Sequence, residues 1–308
     1  MSMDTLNINE TKTEKNIKSF QPNILVISGG GSKGIAYIGI LTALQENTTF
    51  DIKNVNILSG SSIGGIISTA ICLGYTLEEM KNWFLSTDFT KLCPSIYNND
   101  YNQKILPLLY KSYSLSSGIE INEIITKLFL FKNYDPNTLT FKQLYEITGK
   151  LLILSGSNLT SKKCNYFSHI KTPDMKVLTA TLITSRIPYV FPHIKYNNNV
   201  YIDGHLFDPF PIKGCGKEII KQNKEKILGI ISISQYKDNY INNIKDFTFS
   251  IIEGLSYQYM KKSYKKYKKY IIPITLNVEF FTLNISKLEM NEMFNIGIQS
   301  GLLYVKNL

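Results

Sequence analysis

A chain of 308 residues, 44% hydrophobic and 19% charged, is long enough to bury a large core without covalent staples. Its four cysteines, Cys72, Cys93, Cys164 and Cys215, are widely spaced, with no C-x-x-C pair, no Cys/His spacing suited to zinc and no D-x-D-x-D-G calcium loop; this excludes a disulfide framework and gives no sign of a metal or other cofactor. The net charge is +10, and the segment 261–269 carries six of the lysines with no acid between them.

Residues 1–20 are polar and hold no apolar stretch, so they read as a mobile tail and not as a secretory signal. No later window is apolar for the eighteen or so residues a membrane span needs. The expectation is a cytoplasmic protein, at most peripheral to membranes, with residues 21–308 forming one domain.

The first strand is expected over 23–28, where Ile24-Leu25-Val26-Ile27 is continuously apolar. It runs into Gly29-Gly30-Gly31-Ser32-Lys33-Gly34 and then a helix over 34–46. Successive glycines let backbone N–H groups converge at a helix N-terminus, where the macrodipole also favours negative charge. Nucleotide binding fits this loop poorly. Lys33 is followed by Gly34 where a phosphate loop needs Ser or Thr, and no acidic residue closes the second strand of a dinucleotide fold. An oxyanion hole for acyl transfer fits better.

A second strand is expected over 54–58 and a helix over 64–73, joined by Gly60-Ser61-Ser62-Ile63-Gly64. G-x-S-x-G on a strand-to-helix turn lifts a serine hydroxyl clear of the sheet, with glycines relieving the crowding of a strained backbone. The plain alternative is that Ser62 only caps the helix. The stretch up to about 148 reads as mixed and largely helical, either a packed cap or an acyl-chain channel, with Trp83, Phe84, Leu106, Leu108, Leu109, Phe129 and Phe131 available to line it. Strands are expected at 151–154 and 165–168, a helix over 175–185, strands at 199–202 and 227–233, and helices over about 244–269 and 287–306. Apolar strands alternating with helices argue an α/β fold with a mostly parallel sheet covered on both faces.

Asp203-Gly204 ends the 199–202 strand and supplies a carboxylate for Ser62. With Ser185-Arg186-Ile187-Pro188-Tyr189-Val190-Phe191-Pro192, the glycine loop, the elbow and Asp203-Gly204 form four ordered blocks over roughly 22–215 that resemble the patatin-like phospholipases and acyl hydrolases. That resemblance implies a three-layer patatin-like fold. It also implies a metal-independent serine hydrolase of phospholipid or other lipid acyl esters, with a Ser62–Asp203 dyad and an oxyanion hole from Gly29, Gly30, Gly31, Lys33 and Gly34. A general esterase or thioesterase, or a non-catalytic lipid-interaction module that kept the fold, are the alternatives.

Two residues depart from the family's pattern: Lys33 stands where Arg is common, and His205 follows Asp203-Gly204 where a small residue is usual. His205 reads as a turn residue or as a partner behind the base. A Ser-His-Asp triad in the α/β-hydrolase order is disfavoured, because no histidine follows His205. A carboxylate base needs its pKa tuned upward by burial.

Lys261, Lys262, Lys265, Lys266, Lys268 and Lys269 flank an apolar stripe of Met260, Tyr264, Tyr267 and Ile271. That pattern suits a helix docked on the core with a solvated cationic face, or peripheral contact with an anionic membrane. Nucleic acid is the weaker partner, for want of any binding module. Oligomeric state is not legible.

Overall fold

The computed structural model describes residues 17–93, 106–233, 241, 244–276 and 282–308. An eight-stranded sheet forms the frame: β1 (Ile24–Ile27), β2 (Ile57–Gly60), β3 (Leu151–Asn158), β4 (Lys163–Phe167), β5 (Ile194–Tyr196), β6 (Asn199–Asp203), β7 (Ile227–Ile233) and β8 (Ile271–Thr275). Hydrogen bonding links them in the succession β5-β6-β3-β2-β1-β7-β8, with β4 also on β3. The pairs among β1, β2, β3, β7 and β8 are parallel, whereas β4 and β6 run antiparallel to β3 and β5 to β6.

β1 is apolar at every position because both of its faces are covered. Leu25 and Ile27 pack into the larger core, while Ile24 and Val26 face a second core with Phe210, Ile212 and Met260. The chain is therefore three layers deep, as expected.

The helices are α1 (Gly34–Asn47), α2 (Ile63–Cys72), α3 (Leu77–Ser86), α4 (Leu106–Ser112), α5 (Ile119–Phe131), α6 (Phe141–Thr148), α7 (Val177–Thr184), α8 (Lys217–Gln222), α9 (Ile244–Tyr267) and α10 (Lys287–Lys306). α1 packs so closely on α10 that a Cβ at Gly39 would stand 2.2 Å from the Phe294 carbonyl oxygen. Capping boxes at Thr76/Glu79, Thr140/Gln143 and Ser286/Glu289 start α3, α6 and α10.

Neither β5 nor α8 is among the elements expected from the sequence, and three further features depart from that expectation. β8 follows directly after α9 and its terminal turn, although Pro273 speaks against a strand; β8 closes one end of the sheet, where a missing N–H costs no ladder bond. β3 runs on beyond the expected 151–154 to Asn158 through small polar residues, and Ser157 Oγ donates to the Asp203 carbonyl oxygen at 2.7 Å. Residues 17–20 of the expected tail are held on the domain, with Lys18 bridged to Thr48 and the Phe20 N–H donating to Thr49 Oγ1. Residues 1–16 lie outside the described residues.

The register around β3 places the site. β4 covers one edge of β3 from Leu154 to Asn158. The other edge is shared, with β2 ending at Gly60 opposite Leu154 and β6 ending at Asp203 opposite Gly156, running the other way. Two strands thus meet end to end, and the residues just beyond Gly60 arrive beside Asp203.

Candidate active site

Ser62 sits between β2 and α2 with φ 54° and ψ −129°, a left-handed backbone that serine rarely adopts. The surrounding backbone is too close for side chains: a Cβ at Gly60 would lie 2.3 Å from the Gly64 carbonyl oxygen, and one at Gly64 would lie 2.3 Å from that of Ile27. The strained turn is held from outside as well. The Ser62 N–H donates to Thr184 Oγ1 at 3.0 Å, and the Ser61 N–H donates to the Ile27 carbonyl.

Ser62 Oγ donates to Asp203 Oδ2 at 2.7 Å. The other carboxylate oxygen, Oδ1, accepts from the His205 N–H at 2.8 Å, and the Asp203 N–H donates to the Arg186 carbonyl. Asp203 is 1% exposed. Burial raises its pKa to about 7, against the opposing pull of the hydrogen bonds from Ser62 and His205. The carboxylate is thereby a far better proton acceptor near neutrality than an exposed aspartate.

The glycine loop leaves β1 beside this pair. Gly31 has φ 58°, a turn conformation that glycine adopts without strain. Tyr37, buried in α1, fastens the loop by donating its hydroxyl to the Gly29 carbonyl at 2.9 Å. Among the described residues, the N–H groups of Gly30 and Gly31 donate to no other group. Both glycines line a small cavity, partly open to solvent, with Ser62, Asp203, His205 and Ile252. A second, larger cavity, partly open to solvent, extends from Ser62 past Ile63, Ile66, Trp83, Ile121, Ile124 and Phe191.

A sequence profile described as patatin-like phospholipase matches residues 25–215, a span that includes the loop, the elbow and Asp203. The chain belongs to the patatin-like phospholipase family. With that family it is a lipid ester hydrolase. It is 32% identical over 222 residues to the probable lipid hydrolase 463L of Invertebrate iridescent virus 6, covering 71% of this chain and 72% of that protein. It is 25% identical over 305 residues to an uncharacterized protein of Acanthamoeba polyphaga mimivirus, covering 94% and 96% respectively. In fold it resembles VipD from Legionella pneumophila, with a TM-score of 0.59 at 16% identity over 93% of this chain and 67% of that one.

Set against the patatin-like pattern, the remaining expected residues fall in distinct places. Gly29 makes room for neighbours, since its Cβ would stand 2.3 Å from His205 Nδ1 and 3.0 Å from Ser62 Cβ. Gly34 packs against Ile63 and Phe84, behind the cavities. Lys33, 2% exposed, does not line either cavity; burial depresses its pKa, while the charge of Glu253 raises it. His205 is buried in the wall of the smaller cavity and is held neutral, its pKa pushed down to about 4 by burial and then by Lys33. His169 stacks on Tyr145 and His193 on Tyr113. The four cysteines are free.

Of the aromatic and aliphatic residues expected to line an acyl channel, Trp83 lines the larger cavity and Phe84 a smaller one beside it. Phe129 is in the core and Phe131 is exposed. Sequence reasoning missed Thr184, Tyr37 and the Arg186 carbonyl as supports of the site. Only the position of Thr184 and Arg186 at the start of the proline block hinted at them. The six lysines of 261–269 are exposed, with Tyr264 and Tyr267 packed on the second core as the stripe suggested. No helix among the described residues is long and apolar enough to cross a membrane.

Proposed function

We propose that this chain is a phospholipase A-type acyl hydrolase in which Ser62 is the nucleophile and Asp203 the general base. Asp203 Oδ2 takes the hydroxyl proton as Ser62 Oγ attacks the ester carbonyl carbon. The carbonyl oxygen, now negative, receives the N–H groups of Gly30 and Gly31, which lie at the N-terminal end of the turn into α1 and need not abandon other partners to bind it. Collapse of the tetrahedral intermediate breaks the ester C–O bond, and Asp203 returns its proton to the departing alcohol. Water then attacks the acyl-serine, with Asp203 again accepting the proton; collapse breaks the bond from the acyl carbon to Ser62 Oγ, Asp203 returns the proton to that oxygen, and the fatty acid is released. This sequence uses no metal.

The acyl chain is assigned to the larger cavity, whose walls are aliphatic and aromatic side chains suited to a hydrocarbon and poorly suited to a headgroup. The observation that carries the reading is the 2.7 Å bond between a strained serine, which lines that cavity, and a buried, upward-shifted carboxylate. His205 supports Asp203 through its backbone N–H; its imidazole is too weak a base to replace the carboxylate.

The test is incubation with an active-site serine probe and a phospholipid panel, beside Ser62→Ala. Labelling of Ser62 and release of fatty acid from a diacyl phospholipid are expected, both lost in Ser62→Ala. Hydrolysis that persists in that variant overturns the assignment.

A further inference from the structure

α9 has one buried side and one exposed side, and the exposed side changes character along its length. Ile252, Ser256 and Met260 face inward, and Ile252 lines the smaller cavity together with Ser62. On the outer side stand Phe247, Ile251, Leu255 and Tyr259, which are 50%, 49%, 53% and 47% exposed. Their spacing of four residues puts them in one row on the helix surface. At 100° per residue, Lys262 and Lys266 fall within the same sector and Lys265 returns to the direction of Phe247, so the row continues as lysines. All are exposed, and the segment 261–269 has no acid to neutralise them.

Interfacial helices ordinarily separate apolar and basic residues around the helix. Here the separation runs along it. The apolar half lies beside the cavity that holds Ser62, and the cationic half lies toward the opposite end.

We propose that the outer face of α9 docks on an anionic lipid surface, with Phe247, Ile251, Leu255 and Tyr259 entering the acyl boundary and Lys262, Lys265 and Lys266 held at the phosphate level. Charge complementarity selects this occupant: a row that ends in lysines, none of them ion-paired among the described residues, matches phosphate-bearing headgroups. A helix so docked tilts its apolar end deeper and brings the Ser62 cavity to the substrate. The inference rests on the lipid hydrolase reading for its purpose, but binding is measured independently of turnover.

The experiment is sedimentation of the full chain with vesicles of phosphatidylcholine alone and of phosphatidylcholine with 30 mol% phosphatidylglycerol. It compares wild type, a Lys262→Gln/Lys265→Gln/Lys266→Gln variant and an Ile251→Ser/Leu255→Ser variant, each checked for hydrolysis of a soluble short-chain ester. Wild type is expected on the anionic vesicles. The lysine variant should lose about a hundredfold in partitioning, a loss that 0.5 M salt reproduces in wild type. The Ile251/Leu255 variant should bind at least tenfold more weakly, and both should keep soluble-ester kcat/KM within twofold. Wild type that hydrolyses the soluble ester yet ignores anionic vesicles, or binding that neither variant changes, overturns the docking proposal. So does a dimer in solution that Ile251→Ser/Leu255→Ser dissolves, which would assign the row to a second copy of the chain. Vesicle binding without any ester hydrolysis would uphold the docking and sink the proposed chemistry instead.

Discussion

Two glycine-rich turns lead from parallel strands into helices, and they use glycine for different reasons. In the turn after β2, the space is taken by backbone: Gly60 faces the Gly64 carbonyl and Gly64 the Ile27 carbonyl. In the turn after β1, it is taken by the ends of side chains, His205 at Gly29 and the Tyr37 hydroxyl at Gly30. The first turn stores strain in Ser62 and cannot be relaxed without moving the strand. The second holds two N–H groups open and can in principle be relieved by trimming a neighbour. One turn presents the proposed nucleophile; the other is proposed to receive the charge it creates.

The largest expected effect is chemical. Ser62→Ala and Asp203→Asn should each lower kcat/KM by at least about 10⁴-fold, and the double variant should be little worse, because the pair acts as one unit. Kinetics on a soluble ester measures this. Additive losses would mean that the two residues act separately.

Next comes Gly64→Ala. Its Cβ would meet backbone on a central strand, so the loss should appear as stability, about 3 kcal/mol by denaturant unfolding, with activity lost in proportion. Gly30→Ala should behave differently, folding normally but losing roughly 10²-fold in kcat. Its Cβ would sit 2.5 Å from the Tyr37 hydroxyl and 3.4 Å from the ring carbon that bears it, so adding Tyr37→Phe should recover roughly tenfold of that rate. Failure of the rescue would erase the distinction between the turns.

Asp203→Asn should also stabilise the protein at pH 8. The carboxyl titrates near 3.8 when unfolded and at about 7 when folded, so the folded state holds an extra proton between those values. Its contribution to stability is full below about pH 4 and falls away as pH rises to 7, reaching a penalty of up to about 4 kcal/mol. The melting temperature of Asp203→Asn should exceed wild type at pH 8 and converge with it near pH 4.

The smallest effect lies away from both turns. Trp83 and Ile66 are shared walls of the larger cavity and of the neighbouring one lined by Ala70, Tyr75, Met80 and Leu128. Trp83→Ala should join them and shift the preferred acyl chain to greater length, with kcat on the best substrate nearly unchanged. An unaltered chain-length profile would remove the acyl chain from this cavity.

The site was readable in sequence where geometry restricts residue type locally. A turn with no room for Cβ must be glycine, and a hydroxyl raised on it must be Ser62, so both turns are written in consecutive letters. Asp203 was readable because it ends a strand and is followed by Gly204, whose Cβ would stand 2.4 Å from the Ser155 carbonyl oxygen. Thr184, Tyr37 and the Arg186 carbonyl were not readable, because they hold Ser62, Gly29 and Asp203 through single hydrogen bonds that many residue types can make, that of Thr184 reaching across 122 positions of the chain. The same applies to β8, where pairing with β7 overrides Pro273, and to the end of β3, where Ser157 is a strand residue only because β4 and β6 flank it. The row on α9 was half visible. Its lysines stood out by composition, whereas Phe247, Ile251, Leu255 and Tyr259 became a surface only once Ile252 and Ser256 were seen to face inward.

The central claim is that Asp203 is the base for Ser62, and the rate at which a fluorophosphonate phosphonylates Ser62, with loss of fluoride, as a function of pH tests it most directly. A general base works unprotonated, so the rate should rise tenfold per pH unit below about 7 and level off above it, matching the raised pKa of the buried carboxylate. The limb should persist in His205→Asn. An inflection near 4, where His205 titrates, or a limb that disappears with His205, would contradict the account.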